Sequence, residues 1–312
     1  MKTTKRLPHG EPRLPALDPA RLSGAVLSGA VLSGAGPAGR GLWRKVRVVA
    51  ETGSTNADLL AAARSGAAEG LVLVAEAQTA GRGRQGRTWL AAPGTALTFS
   101  VLLRPRGVPG SQLGWLPLLA GVAVVAALRQ SAGVQAELKW PNDVLTGGAK
   151  LAGILAESWG DSVVVGIGIN VSQREDELPV PTATSLLLAR GAAVAGGAGG
   201  TGRSGETGQA RGSWAAAVAD IRERLLIAVL GEFARWYRAW LDQDQPGDAG
   251  GCGLRAEYLR CCATLGRQVT VTLPGGRSVT GTAVGVAPVG LLELRTAAGP
   301  VQVSAGDVVH LR

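Results

Sequence analysis

Histidine and cysteine are both scarce in this sequence, and their scarcity excludes several kinds of active site. The only histidines are His9 and His310, one near each end of the 312 residues. Catalytic triads and histidine-rich metal centres need histidine inside the folded core, so neither is expected. The three cysteines, Cys252, Cys261 and Cys262, form neither a C-x-x-C pair nor an even disulfide framework. A reduced, cytoplasmic protein without a metal site is the simplest interpretation.

Lysine is also rare and occurs only at positions 2, 5, 45, 139 and 150. Arginine supplies most of the positive charge, and the net charge is +9. Because alanine, glycine and valine are abundant, this bias is typical of GC-rich coding, in which arginine replaces lysine wherever either residue serves. Lys139 and Lys150 are therefore candidates for sites that require an ammonium group. The arginines are scattered, without a basic helix or zinc finger, so nucleic-acid binding is only an alternative interpretation.

Long apolar runs are absent as well, and no membrane span is expected. The most apolar stretch, residues 113–128, is about 16 residues long, which suits a buried helix better than a bilayer span. Residues 1–42 are rich in glycine and proline and contain a period-five repeat, LSGAV-LSGAV-LSGAG. Scattered prolines and acids break the signal-peptide pattern there. We interpret residues 1–42 as a low-complexity tail, not needed for catalysis, in which Asp18 and Pro19 begin one short helix.

Hydrophobic periodicity divides the remaining chain into a large domain, residues 43–262, and a small one, residues 263–312. Strands are predicted at the start of 43–66 and at 71–76, 96–103, 134–140, 144–146, 150–158 and 163–171, and helices at 113–132 and 213–241. Strands and helices that do not strictly alternate favour the α+β class. The glycine-rich residues 190–213 are predicted to be a disordered insert. Short alternating segments with glycine turns after residue 263 are typical of a small β-barrel.

The segment GRGRQGRTW, residues 81–89, carries three arginines and no acid. The spacing of Gly81, Gly83 and Gly86 matches the dinucleotide-binding fingerprint. That fingerprint also requires a helix directly afterwards and an acid about 20 residues further on, and the sequence provides neither. Two interpretations stay open. The segment is either a solvated basic turn or a mobile, glycine-hinged loop whose arginines bind phosphate or carboxylate.

Other polar residues stand at the ends of elements that must converge on one sheet. Ser54, Thr55 and Asn56 precede a helix, KWPNDVL (139–145) places Asn142 and Asp143 in a turn, and Asn170 is the one polar residue of GIGINV (166–171). The turn at Gly147 and Gly148 brings Asp143 and Lys150 onto neighbouring strands. Both faces of residues 150–155 are apolar, which favours an apolar ligand approaching closely at Gly153. Each residue also has a structural interpretation as a cap, turn former or strand end. Their convergence favours a site.

In sequence order, STN (54–56), QTAGRGRQGR (78–87), KWPNDVL, KLAGILAE (150–157) and GIGINV closely resemble the biotin protein ligases. The resemblance covers about 43–188 and continues weakly to the C-terminus, where SAGDVVHLR is similar to the actinobacterial branch. It implies a catalytic domain like that of class II aminoacyl-tRNA synthetases, followed by a small SH3-like β-barrel. The implied enzyme is a ligase that joins biotin and MgATP into biotinoyl-5′-AMP. It then transfers biotin to a lysine of the biotin carboxyl carrier domain of acetyl- or acyl-CoA carboxylase and other biotin enzymes. A lipoate–protein ligase of the same superfamily is the alternative.

The resemblance also implies roles for individual residues. Lys150, Arg84 and Asp143 would be catalytic. The implied biotin-binding residues are Ser54, Thr55, Asn56, Gln78, Gly81, Arg82, Gly83, Arg84, Lys150, Gly153 and Leu155. The implied ATP- and adenylate-binding residues are Arg82, Arg84, Arg87, Trp89, Asn142, Asp143, Lys150 and Asn170. Some family members bind DNA through an N-terminal helix-turn-helix, which residues 1–42 are too rich in glycine and proline to form, so no DNA partner is expected.

Overall fold

The computed structural model describes residues 14–27, 41–195 and 208–311. A seven-stranded sheet in the order β1-β2-β3-β7-β6-β5-β4 forms the centre of the large domain. Its strands are β1 (Lys45–Thr52), β2 (Leu71–Gln78), β3 (Ala96–Leu103), β4 (Glu137–Lys139), β5 (Asp143–Thr146), β6 (Ala149–Trp159) and β7 (Ser162–Asn170). Only β1 and β2 pair in parallel, and the other neighbours are antiparallel. The predicted strands and the α+β class are confirmed.

Helices cover the two faces of this sheet unequally. The helices are α1 (Pro19–Leu27), α2 (Thr55–Arg64), α3 (Trp115–Ala132), α4 (Leu186–Ala195), α5 (Gly208–Leu241) and α6 (Leu254–Cys261). The main hydrophobic core unites one face of the sheet with α1, α3 and α5. On the other face, α2 buries a smaller cluster around Leu59, Leu73 and Val164. The rest of that face is left open, and the candidate site lies there.

Helix α3 is apolar around its whole circumference because it lies between the sheet and α5. Every residue from Trp115 to Leu128 except Pro117 is buried. Among the described residues, the segment 110–132 is the one helix long and apolar enough to span a bilayer. Within the protein, 72% of its most apolar 18-residue stretch is already buried. Burial in the core therefore explains why this helix is so apolar.

The C-terminal unit is a five-stranded antiparallel sheet in the order β11-β10-β9-β8-β12. Its strands are β8 (Gln268–Thr272), β9 (Ser278–Val286), β10 (Leu292–Thr296), β11 (Gly299–Val303) and β12 (Asp307–His310). Two tryptophans of the large domain fasten it in place. Trp115 Nε1 donates to the Pro288 carbonyl at 2.7 Å, and Trp140 Nε1 donates to the Gly290 carbonyl at 3.2 Å. These bonds set β12 beside the candidate site.

The N-terminal residues 14–27 differ from the predicted tail, because they pack as part of the large domain. Asp18 caps α1 as expected, and its Oδ1 accepts from the Ala20 and Arg21 backbone N–H groups. The period-five repeat places Leu22 and Val26 four residues apart on one helical face, which is buried together with Leu17. Residues 1–13 and 28–40 lie outside the described residues.

The predicted insert at 190–213 is also partly helical. Residues 190–195 continue α4, where alanine is frequent and extends a helix readily, and residues 208–213 begin α5. Residues 196–207 lie outside the described residues. The domain limits at 43–262 and 263–312 remain predictions.

Removing residues 1–27 is therefore expected to destabilise the protein strongly, whereas removing residues 1–13 is not. Leu17, Leu22 and Val26 are each at most 9% exposed. Burying a side chain of this size stabilises by about 1.5–3 kcal/mol, so losing three costs several kcal/mol. Thermal unfolding of chains that start at residue 14 or 28 tests this, with an expected difference of more than about 10 °C. Equal midpoints would show that α1 adds no stability.

Candidate active site

The floor of the site is made of strand positions that carry no side chain. Along β7 the isoleucines of GIGIN point into the main core, so Gly166 and Gly168 face the open side of the sheet. The Asn56 amide lies on Gly166, and the Trp89 indole lies on both Gly168 and Gly153. A methyl group at Gly166 or Gly168 would overlap these side chains. The close approach predicted at Gly153 is thus made by Trp89.

Above this floor is a cavity of about 670 Å³, a size typical of small-molecule sites. Most of the residues implied by the sequence line it: Ser54, Thr55, Asn56, Gln78, Arg82, Gly83, Arg84, Arg87, Trp89, Asn142, Asp143, Lys150, Gly153, Leu155 and Asn170. Gly81 lies outside the cavity lining, at the base of the arginine segment, where its carbonyl accepts the Trp89 N–H at 2.9 Å. The structure therefore brings residues that are far apart in sequence, at 54–56, 78–89, 142–155 and 170, to one place.

Polar groups concentrate at one end of the cavity, where α2 begins. Ser54 is the N-cap of α2. The backbone N–H and the hydroxyl of Thr55 both lie within hydrogen-bond distance of Gln78 Oε1, at 2.8 and 3.1 Å. The Gln78 amide nitrogen has no acceptor among the described residues. This end of the cavity can therefore exchange hydrogen bonds with a compact polar ligand group.

Residues 81–89 fold into a short hairpin, which we call the arginine hairpin, and it covers the cavity. Arg82 and Thr88 form an isolated antiparallel bridge, and Gly83 N donates to the Arg87 carbonyl at 2.7 Å. The tip is left-handed at Gln85 (φ 54°) and Gly86 (φ 72°). A left-handed residue other than glycine is uncommon and slightly strained, as often found in segments that rearrange.

Five cations surround the cavity, and three of them are neutralised by acids. Arg82 pairs with Glu157 at 3.1 Å, Arg87 with Asp307 at 2.5 Å, and Lys150 with Asp143 at 2.6 Å. The predicted juxtaposition of Asp143 and Lys150 is therefore confirmed. The backbone of Lys150 is also fixed, since its N–H donates to the Thr182 carbonyl and its carbonyl accepts the Thr184 N–H.

The two remaining cations, Arg84 and Lys139, form no ion pair with any acid in the described part of the chain. Arg84 Nη1 donates instead to Asn142 Oδ1 at 3.0 Å and to the Gly306 carbonyl at 3.3 Å. Burial lowers the pKa of Arg84, and nearby Asp307 only partly offsets this. Burial likewise lowers the pKa of Lys139, with Asp143 opposing the shift. Two half-buried, uncompensated positive charges make the cavity a receptor for anions.

Lys139 was absent from the implied site residues although it lines the cavity. The scarcity of lysine had marked it as a candidate, but the resemblance to the family gave it no role. The C-terminal residues around Lys139 and the hairpin, such as Asp307 and His310, carried no comparable signal. Lys139 contributes to lowering the pKa of His310 to about 4, after the larger effect of burial, so this imidazole is neutral at neutral pH.

Three of the residues that the resemblance implies for nucleotide binding differ in the hydrogen-bonding groups that they have free for a ligand. Asn142 Nδ2 donates to the Ile154 carbonyl, and Asn170 Nδ2 donates to the Thr184 carbonyl, so these amides hold the ends of strands together. The Trp89 indole N–H is buried and has no acceptor in the part of the chain that the structure describes. It is therefore free to donate to a ligand oxygen. No cluster of three or more His, Cys, Asp or Glu suited to a metal ion occurs in residues 14–27, 41–195 and 208–311.

Known proteins with this arrangement share its sequence over most of their length. Residues 49–173 match the Biotin/lipoate A/B protein ligase family, and residues 264–311 match the Biotin protein ligase C terminal domain. The biotin–[acetyl-CoA-carboxylase] ligase of Mycobacterium tuberculosis is 43% identical over 279 residues, covering 88% of this chain and 92% of that protein. The ligase of the same name from Paracoccus denitrificans is 33% identical, covering 84% of this chain and 98% of that protein.

A solved structure shares the fold as well as the sequence. The biotin protein ligase from Aquifex aeolicus in complex with biotin and ATP superimposes with a TM-score of 0.63 at 27% identity, and the match covers 86% of this chain and 100% of that one. Sequence identity, domain content and fold agree along nearly the whole chain, so this chain belongs to the biotin protein ligase family.

Proposed function

We propose that this chain activates biotin with ATP to biotinoyl-5′-AMP and transfers the biotinoyl group to a lysine of a biotin carboxyl carrier domain. One observation carries the proposal. A cavity under the arginine hairpin holds two cations, Arg84 and Lys139, that form no ion pair with a carboxylate of the described residues. A reaction between a carboxylate and a triphosphate brings two anions together, and such a site compensates their charge.

The first step joins biotin to the nucleotide. A biotin carboxylate oxygen attacks the α-phosphorus of ATP, a new P–O bond forms, and the bond to pyrophosphate breaks. Lys150 stands on the cavity floor beside Gly153, and its ammonium is a compact charge for the carboxylate and α-phosphate oxygens as they meet. Arg84 and Lys139 supply the further charge that the phosphates require. Mg²⁺ is expected to arrive bound to the ATP phosphates, as is usual for this ion.

The second step releases AMP. The uncharged amine of the acceptor lysine attacks the acyl carbon, the new amide bond forms, and the bond to the phosphate oxygen breaks. Water would hydrolyse the same anhydride, so the hairpin must stay closed after the first step and then open for the acceptor. The glycines of the hairpin and the left-handed backbone at its tip are suited to a segment that adopts both a closed and an open conformation.

The polar end of the cavity supports biotin over lipoate. Gln78 and Thr55 offer donors and acceptors that match the ureido ring of biotin. The dithiolane ring of lipoate has no comparable groups, so it would leave the Gln78 amide nitrogen without an acceptor, and such a loss discriminates between ligands. Trp89, Gly153 and Leu155 provide the apolar wall for the aliphatic chain that both acids share.

The proposed protein partner is a biotin carboxyl carrier domain of a carboxylase, and the proposed location is the cytoplasm, where ATP and such acceptors occur together. The test is to incubate the chain with MgATP, biotin and a carrier domain, and to measure the acceptor mass. One biotinoyl group should be added, and none when the acceptor lysine is replaced by arginine. Equal modification of both acceptors by the native chain would contradict specific transfer.

A further inference from the structure

A continuous series of polar contacts joins the polar end of the cavity to the arginine hairpin. It begins at Gln78 and Thr55 and passes to Ser100, whose hydroxyl lies 2.7 Å from Thr55 Oγ1. Ser100 Oγ donates to Asn56 Oδ1 at 2.6 Å. Asn56 Nδ2 then donates to Glu157 Oε2 at 2.8 Å. The same carboxylate oxygen pairs with Arg82 Nη2 at 3.1 Å.

The middle of this series cannot shift independently of its neighbours. Asn56 is 4% exposed, and its Nδ2 also donates to the Leu155 carbonyl at 3.2 Å. Its amide lies directly on Gly166, where no side chain intervenes. Ser100 is fully buried. The hairpin end of the series, in contrast, is accessible, since the side chain of Arg82 is 44% exposed and that of Glu157 is 26% exposed.

Two other arginines hold the arginine hairpin to described residues elsewhere, and neither reaches the polar end of the cavity. Arg87 pairs with Asp307 of β12, and Arg84 contacts Asn142 and the Gly306 carbonyl. Among the residues that the structure describes, Glu157 is thus the acid that touches both the hairpin, through Arg82, and the series from the polar end, through Asn56.

We propose that Glu157 is a positioning residue that couples occupancy of the polar end of the cavity to closure of the arginine hairpin. This rests on the proposed function. A ligand that hydrogen-bonds with Thr55 or Gln78 fixes Ser100 and Asn56 in one arrangement. Asn56 in turn fixes the Glu157 carboxylate at the place where Arg82 docks. Glu157 does not line the 670 Å³ cavity, so it acts through Arg82, which does.

The test is Glu157→Gln, which keeps an acceptor for Asn56 but removes the charge that binds Arg82. The matched control is Asp161→Asn. It removes a similar surface ion pair, between Asp161 in the turn that joins β6 to β7 and Arg104. Adenylate formation at saturating substrate should stay near normal in both variants. Release of the adenylate, measured as biotin labelling of a bystander protein, should rise about two- to fivefold in Glu157→Gln alone, as expected for a partly exposed ion pair.

Two further readouts separate coupling from general loosening. Biotin should protect the native hairpin from trypsin at its arginines, and this protection should weaken in Glu157→Gln. In an Arg82→Gln background, Glu157→Gln should cause no additional release, because the two residues act as one pair. The inference is overturned if Glu157→Gln releases adenylate no faster than Asp161→Asn, or if its full effect persists without Arg82. Absence of adenylate from the native chain would instead contradict the proposed function.

Discussion

Lys150→Ala is expected to lower the rate of adenylate formation by about 10²- to 10³-fold, the effect typical of removing one charge-stabilising group from a reacting centre. Lys150 stands over Gly153 with its ammonium 2.6 Å from Asp143. Its removal also leaves Asp143 as an uncompensated carboxylate facing the incoming anions, which adds repulsion to the lost attraction. The fold should persist, because the side chain of Lys150 is 31% exposed and takes no part in the core.

Lys150→Arg tests whether the ammonium itself is required. A planar guanidinium is larger and spreads its charge, so it cannot take the place of a compact ammonium between Asp143 and the cavity floor. We expect only partial recovery of the rate of adenylate formation. Lys45→Ala, an exposed lysine at the start of β1, is the control for loss of a lysine outside the site. A near-normal rate in Lys150→Arg would contradict a specific need for lysine at this position.

Arg84→Gly is expected to turn the protein into a source of free adenylate. The half-buried guanidinium has hydrogen-bond partners in Asn142 and Gly306 but no acid of residues 14–27, 41–195 or 208–311 in direct contact. A bound phosphate would therefore be its first directly contacting anion, and the interaction between the two would be strong. Losing one charge-assisted contact costs about 1.5–3 kcal/mol, which corresponds to about 10- to 150-fold weaker retention of the adenylate. The adenylate should still form, because Lys150 and the biotin pocket remain.

The measurement is biotin labelling of albumin in the presence of MgATP and biotin, alongside the yield on the carrier domain. Labelling of albumin should rise in Arg84→Gly while the yield on the carrier falls. Arg277→Gly, in an exposed turn of the C-terminal sheet, controls for loss of an arginine outside the site. If Arg84→Gly makes adenylate and labels albumin no more than the native chain, Arg84 does not retain the intermediate. The hairpin would then act in another way, such as docking the carrier domain.

Local patterns in the sequence were sufficient to predict most of the elements and much of the site. β3 coincides with the predicted strand 96–103, and the Gly147–Gly148 turn places Lys150 beside Asp143 as expected. These features depend on neighbouring residues and on a two-residue period, which a single sequence displays directly. Lys139 shows that composition adds information. The rarity of lysine in the sequence marked this residue as a candidate site residue, and it lines the cavity.

Contacts between distant residues could not be predicted in this way. Arg87 and Asp307 are 220 positions apart, and nothing in either segment specifies that they meet. Asn56 lines the cavity as implied by the sequence, but the bonds of its amide to Ser100, Leu155 and Glu157 are revealed only by the packing of α2 on β7. Helix α1 was taken for part of a tail because its repeat resembles low-complexity sequence. Its burial depends on a complementary groove elsewhere in the chain.

ATP–pyrophosphate exchange tests the central claim most directly, because it reports adenylate formation without any acceptor protein. The folded chain should be assayed with MgATP and either biotin, lipoate or no acid. The account predicts exchange that depends on biotin and stays at background with lipoate or without an acid. No exchange by the folded protein with biotin, or equal exchange with lipoate, would contradict it.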